Sequence, residues 1–209
     1  MIVIDGIIFS LQQTGGVSVL FRELLSRLPP AVHRLILYDK KGAQGARFRL
    51  GERYRDAIAG NYSLFHSSYY RLPAVRSGAV VTTVHDYTYE RFLSPSIRRV
   101  VHSCQKNRAV SGSDAVICVS ESTRQDLLEF STVDPCRVVV VHNGVSELFC
   151  RDSSVSMVQQ VLFVGARAGY KNFESVVVAL SAIAFVSLTC VGGGQFSKKE
   201  LALLEKYLP

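Results

Sequence analysis

Residues 2–28 read IVIDGIIFSLQQTGGVSVLFRELLSRL, and the fold class follows from how that stretch is ordered. Residues 2–9 are apolar apart from Asp5 and Gly6 and predict a first strand. A polar loop, Gln12-Gln13-Thr14-Gly15-Gly16, comes next. Val17, Leu20, Phe21, Leu24 and Leu28 then recur at the spacing of one helix face, and Pro29-Pro30 closes the helix because proline cannot continue its hydrogen bonding. Strand, glycine loop and helix in that order form the opening unit of a parallel α/β sheet.

The same alternation continues outward. Strands are predicted over 34–38, 63–66, 79–84, 115–119 and 137–141, each short, apolar or β-branched, and bounded by polar or glycine residues. Ser94-Pro95 predicts a helix start with proline at the first helical position, and Ser120 predicts the cap of a helix over 121–130. After Asn143-Gly144 the chain turns polar and serine-rich. This places a linker at 146–158, between an N-terminal Rossmann-like domain at 1–145 and part of a second Rossmann-like domain at 159–209. The second unit reads as strand 160–164, a loop at Gly165, helix 172–183, strand 186–191, three glycines, and helix 197–207. The expected class is α/β with parallel sheets.

Hydrophobic residues make up 48% of the chain and charged residues 20%, with 15 Gly and 6 Pro, which is the balance of a packed chain rather than a disordered one. Five widely spaced cysteines with no CxxC pair argue against a zinc site and against a disulfide framework, and point to a reducing cytoplasm. The N-terminal residues have no basic leader, so no signal peptide is expected. Residues 176–191 are uncharged, but a span needs ~20 residues, and Ser181, Ser187 and Thr189 interrupt them; they read as buried helix and strand. Net charge is +7, and residues 40–108 hold 13 Lys/Arg against 4 Asp/Glu. Such a surface is either simply solvated or meets an anionic membrane or a phosphate-bearing acceptor. No nucleic-acid motif accompanies it, and no nucleic-acid partner is expected.

Three places carry candidate chemistry. Gly15 and Gly16 let backbone approach a bulky anion at a helix N-terminus, although a tight turn without ligand needs the same residues. His85-Asp86 ends an apolar strand, where α/β sheets bind ligands, although such a pair also serves as a turn. Arg167 and Lys171 stand four residues apart between a strand and a helix start, a spacing that suits a diphosphate as well as two solvated loop cations. Neither GxGxxG nor a P-loop is present.

Seven segments, taken in order, resemble family 4 retaining glycosyltransferases of the GT-B type, particularly bacterial mannosyltransferases of surface-polysaccharide assembly. They are Thr14-Gly15-Gly16-Val17; Phe65-His66-Ser67 with Leu72-Pro73; Thr83-Val84-His85-Asp86; Val119-Ser120-Glu121-Ser122-Thr123; Val141-His142-Asn143-Gly144-Val145 with Phe149; Gly165-Ala166-Arg167 with Tyr170-Lys171-Asn172; and Val191-Gly192-Gly193-Gly194. The resemblance spans essentially the whole chain. It implies a GDP- or UDP-linked sugar donor held mainly by the second domain, a glycan or lipid-linked acceptor against the first, and transfer of a hexose such as mannose with retention.

By that resemblance Arg167 and Lys171 stabilise the departing diphosphate in place of a metal, and no other cofactor is expected. His85 touches the donor sugar, Gly15 and Gly16 approach the donor phosphate or the acceptor, and Asp86, Ser120, Asn143 and Gly165 complete the substrate-binding set. The absence of any Asp-x-Asp agrees with metal independence.

The family also carries, later in its second domain, two glutamates separated by seven residues that hold the donor's sugar and ribose. Glu200 and Glu205 have the wrong spacing for that pair, so the chain reads as a C-terminally truncated form with little transfer activity of its own. Two functional readings stand side by side. One is a hexosyltransferase in the cytoplasm, peripheral on the inner face of the cell membrane. The other is a non-catalytic remnant that binds glycan or membrane, or a subunit completed by another chain. A homodimer through the incomplete second domain is a further expected partner arrangement.

Overall fold

Four residues of the opening apolar run, Ile2–Asp5, form strand β1, and the chain then bends at Gly6 into a short helix, α1, over Ile8–Leu11. The strand expected over 2–9 is therefore cut short. The strands on either side of it stop at Ile36 and Ser67, so no ladder partner remains beyond Asp5, and the Ile8 N–H donates to Ser68 Oγ at 3.0 Å. This computed structural model describes residues 1–13, 15–39, 46–154, 158–167 and 169–208. Thr14 of the first glycine loop, Lys40 and Lys41 of the basic stretch, residues 155–157 of the serine-rich linker and Ala168 lie outside the described residues.

Helix α2, Gly16–Arg27, is followed by β2, His33–Ile36, and by the short parallel pair β3, Tyr38–Asp39, and β4, Ala46–Arg47. Then come β5, Leu64–Ser67; β6, Ala79–Val84; α3, Thr88–Phe92; α4, Ile97–Ser111; β7, Ala115–Cys118; α5, Glu121–Phe130; and β8, Val138–Val140. Six of these strands make one parallel sheet in the order β2-β1-β5-β6-β7-β8. The chain steps outward from β1 to β2 and returns to the other side of β1. The switch point of this doubly wound sheet, where such folds bind ligands, lies between the carboxyl ends of β1 and β5. Asp5 and Ser67 face each other there in register.

Alternating strand residues feed the core. Val3, Phe65 and Val80 join Ala57, Ala59 and Tyr62 in one cluster, and Ile4 and Ile8 pack with Phe21 of α2 in another. Val84, Val116 and Cys118 pack with Ala109 and Val110 of α4 and Leu127 of α5 in a third.

Ser120 caps α5, its Oγ accepting the Thr123 N–H at 3.1 Å. Helix α4 starts later than the proline suggested: Ser96, not Ser94, is the cap, accepting the Arg99 N–H at 3.2 Å. The Arg99 guanidinium donates to the carbonyls of Glu90 and Leu93. These bonds tie the turn to α3, an element no sequence signal announced, and leave Pro95 ahead of the cap.

The described chain divides into two compact units, Met1–Leu148 and Phe149–Pro209. The second holds β9, Gln160–Val164; a 3-10 turn, Gly169–Lys171; α6, Phe173–Leu180; β10, Ser187–Val191; and α7, Lys198–Tyr207. Strands β9 and β10 pair in parallel. The helix expected over 172–183 is shorter at both ends: Asn172 takes a left-handed φ of 53° and stands outside it, and after Leu180 the Ala182 and Ile183 N–H groups bond three residues back, as in a turn. Ser197 and Glu200 close a capping box on α7. Among the described residues no helix is long and apolar enough to cross a membrane.

Candidate functional site

In the second unit the parallel strands deliver two loops to one edge, Gly165–Lys171 after β9 and the glycines after β10. Arg167 sits between them, nearly buried, and holds the second loop. Its Nη1 donates to the Gly192 carbonyl at 2.8 Å, and its Nη2 donates to those of Gly193, Gly194 and Gln195 at 3.3, 3.0 and 2.9 Å. Nε donates to Glu200 Oε1 at 2.9 Å, and the guanidinium carbon lies 4.2 Å from the centre of the Phe196 ring. Hydrogen bonds from Ser197, and then from Arg167, hold the Glu200 carboxyl below the usual range.

This geometry has a consequence for the loop. A trans peptide points its N–H opposite to its C=O, so four carbonyls drawn toward Arg167 turn the N–H groups of residues 193–196 away from it. Gly192, Gly193 and Gly194 all have positive φ, 88°, 77° and 71°. A Cβ at Gly193 would lie 2.9 Å from Arg167 Nη1 and 3.1 Å from the Gly165 carbonyl. Successive amides presented this way suit an anion.

Lys171 supplies the charge on the same edge. Its exposed ammonium donates to the Val164 carbonyl at 3.0 Å, which leaves further N–H groups free for a ligand. It passes directly over Gly165, where any Cβ would collide with Nζ. A groove of about 640 Å³ opens beside Arg167, Phe173, Gly193, Gln195 and Glu200.

The first unit carries the remaining sequence candidates along the carboxyl edge of its sheet. Burial pushes the His85 imidazole down to about 4, with Lys106 adding to the fall and Asp86 opposing it. The ring is therefore neutral at neutral pH and offers one donor and one acceptor. His66 is also pushed down to about 4, by burial and by His85, and its Nε2 lies 2.8 Å from Thr83 Oγ1. Asp86 is exposed and accepts the Thr88 N–H at 3.2 Å.

Ser120 is committed to its helix cap, and Thr123 Oγ1 carries that network to the His85 carbonyl at 3.4 Å. Gly15 caps α2, its carbonyl accepting from Val19 N–H and Ser18 Oγ. A Cβ at Gly16 would meet nothing within 4 Å, and Asn143 is exposed beyond β8.

Sequence reasoning missed the switch point itself. Asp5, Glu52 and Arg71 are all withdrawn from water there. Arg71 Nη2 donates to Glu52 at 3.0 Å, Nη1 to Asp5 at 3.4 Å, and Nε to the Arg55 carbonyl at 2.8 Å. Tyr38 and Ser67 donate to Asp5 at 2.6 and 3.0 Å. Burial pushes the Asp5 carboxyl up, and Arg71, Tyr38 and Ser67 offset part of that rise. Glu52 is held below the usual range because hydrogen bonds from Arg49 and the charge of Arg71 outweigh burial. Asp5 at a strand end was the one available signal. Lys106 is a second hidden cation, bonded to Glu90 at 2.9 Å and 4.0 Å from the centre of the Tyr87 ring.

A doubly wound parallel sheet followed by a second βα unit with an anion-ready edge is the architecture of GT-B glycosyltransferases. Residues 22–147, more than half of the chain, match the model of Glycosyltransferase Family 4, and the chain belongs to that family. Its fold is similar to that of Anabaena HepE, solved in complex with UDP-glucose, with a TM-score of 0.58 at 13% identity over 99% of this chain. It is also similar to TarM, with a TM-score of 0.51 at 12% identity over 68% of this chain. A mutant of S. aureus TarM, solved with Fondaparinux, alpha-GlcNAc-glycerol and UDP, matches at 0.51 and 10% identity over 69% of this chain. The chain spans 65% of the length of HepE and 30% of that of both TarM chains. A comparison with curated protein sequences found no match.

Proposed function

We propose that this chain binds the diphosphate of a nucleotide sugar at the carboxyl edge of β9 and β10 and serves transfer of a hexose to a glycan or lipid-linked acceptor. The observation that carries the reading is Lys171, whose exposed ammonium lies over Gly165 on the edge that also presents the amides of residues 193–196. HepE, solved with UDP-glucose, and the TarM mutant, solved with UDP, support the donor class. The resemblance of the ordered segments to mannosyltransferases supports mannose, retention and a site on the cytoplasmic face of a membrane.

In the reaction the bond from the anomeric carbon to the diphosphate oxygen breaks, and its electron pair stays with the diphosphate. The acceptor hydroxyl oxygen bonds to the same face of the anomeric carbon and gives up its proton to the departing diphosphate. Lys171 stabilises the negative charge that grows on that leaving group, which lowers the barrier without needing proton transfer from the protein. Arg167 acts chiefly by aiming the glycine loop, because its donors are already engaged there. His85, neutral, hydrogen-bonds a sugar hydroxyl in either direction.

Calorimetry of the full chain with GDP, UDP, GDP-mannose and UDP-glucose tests this reading. Saturable binding of at least one of them, competed by pyrophosphate, is the expected result. No measurable affinity for any of the four at millimolar ligand overturns it. In a transfer assay the product's anomeric configuration, read by NMR, is expected to match the donor's.

A further inference from the structure

A carboxylate beside an anion site repels the ligand unless its charge is used elsewhere. Glu200 lines the groove beside the glycine loop, and its spacing from Glu205 sets it apart from the donor-holding glutamates of the family. Arg167 and Lys199 on that groove are matched in charge by Glu174 and Glu200, so the groove lining carries no net charge. The attraction for a diphosphate then falls to Lys171 and the oriented amides, and the presence of Glu200 needs its own explanation.

Both oxygens of Glu200 are committed. Oε1 accepts from Arg167 Nε at 2.9 Å, and Oε2 accepts the Ser197 N–H at 2.7 Å, while Ser197 Oγ accepts the Glu200 N–H at 3.3 Å. One side chain thus joins the arginine to the start of α7, the helix into which the glycine loop runs. A guanidinium is planar and its donors form a fixed fork, so holding Nε sets the direction of the others. With Nε on Glu200, Nη1 and Nη2 reach the carbonyls of residues 192–195, and the Phe196 ring covers one face of the plane. The fit is close, since a Cβ at Gly193 would lie 2.9 Å from Nη1. Without the carboxylate, a nearly buried cation would keep only carbonyls as partners and would turn to any anion within reach, a diphosphate included.

We propose that Glu200 is a positioning residue that locks the Arg167 fork onto the glycine loop, so that the amides of residues 193–196, and not the arginine, receive the diphosphate. The inference rests on the reading of this edge as a diphosphate site.

The sign of one change separates the lock from simple electrostatics. Glu200→Ala removes a negative charge next to an anion site, which by Coulomb attraction alone raises affinity. The lock predicts the reverse: affinity of the full chain for inorganic pyrophosphate, UDP or GDP, read by calorimetry, should fall about fivefold or more, the worth of one ordinary hydrogen bond. Glu200→Gln removes the same charge but keeps an oxygen for Arg167 Nε, and its loss should be smaller. Ser197→Ala opens only the other half of the capping box, loosens the helix start and should bind as the parent does. Backbone amide relaxation, measured by NMR without ligand, reads the lock itself: order parameters at residues 193–196 should drop in Glu200→Ala and hold in Ser197→Ala.

Equal or tighter pyrophosphate binding by Glu200→Ala, or order parameters at residues 193–196 that match the parent's, would overturn the proposal. An equal loss in Ser197→Ala would do the same, by making the helix cap the cause. A parent that binds neither pyrophosphate nor nucleotide, with a loop that loosens in Glu200→Ala, would leave the lock standing and remove the diphosphate reading.

Discussion

Arg71 in the first unit and Arg167 in the second are both almost fully withdrawn from water at the carboxyl edge of a parallel sheet, yet they direct their donors to different partners. Arg71 meets two buried carboxylates, and Tyr38 and Ser67 donate to one of them, so charge and hydrogen bonds close on themselves at the switch point. Arg167 meets one partly exposed carboxylate and four backbone carbonyls. The first arrangement is a plug and the second a frame. A buried cation satisfied by carboxylates has nothing left to offer a ligand, whereas one satisfied by carbonyls orients amides outward and leaves neighbouring Lys171 available. The difference separates a residue that holds the fold from one that shapes a site.

The comparison can be broken at several points. Arg71→Met leaves Asp5 buried without its cation and Glu52 with Arg49 alone, and should cost ~3–5 kcal/mol in urea unfolding of the first unit; a loss near zero would mean the plug is not needed. Acid should act on the same unit. His66, His85 and His102 are each pushed from 6.5 to about 4, chiefly by burial, and residues 149–209 contain no histidine. Unfolding between those values lets each ring take a proton it lacks when folded. This stabilising contribution is therefore complete above pH 6.5 and lost as pH falls toward 4, on the order of 3 kcal/mol for each ring. Thermal melts from pH 7 to pH 4.5 should show it, and a flat profile would contradict the burial of these rings. Arg167→Met should free the loop at a local cost of ~2 kcal/mol. Hydrogen exchange is expected to quicken at residues 192–196 and stay unchanged in the first sheet; a global change would make Arg167 a second plug.

Much of this architecture was legible because it is local. Ser120 announces its helix by capping it, and the apolar runs at 79–84 and 160–164 coincide with β6 and β9. The end of β1 was only partly legible: Gly6, where a Cβ would lie 2.9 Å from the Ile36 carbonyl, marks the bend, but the neighbouring strands that stop at Ile36 and Ser67 are distant in the chain. Helix α3 escaped for a similar reason, being tied to α4 by Arg99. At the site, Lys171 and the glycines could be read from spacing. The engagement of Arg167 could not, because its partners lie 25 to 33 residues away in the chain. Arg71 carried no signal at all: its carboxylates stand 66 and 19 residues away and become neighbours only through the sheet order.

Lys171 gives the smallest expected change in stability and the most direct test of the site. Its ammonium is exposed and, among the described residues, bonded to a single carbonyl, so Lys171→Ala should unfold within ~0.5 kcal/mol of the parent. The decisive measurement is calorimetric titration of parent and Lys171→Ala with UDP and with GDP, using whichever binds the parent. A diphosphate seated against this ammonium predicts about a tenfold or greater loss of affinity with unchanged unfolding, the effect of removing a charged hydrogen bond. Equal affinity in the two proteins would contradict the placement of the diphosphate at this edge.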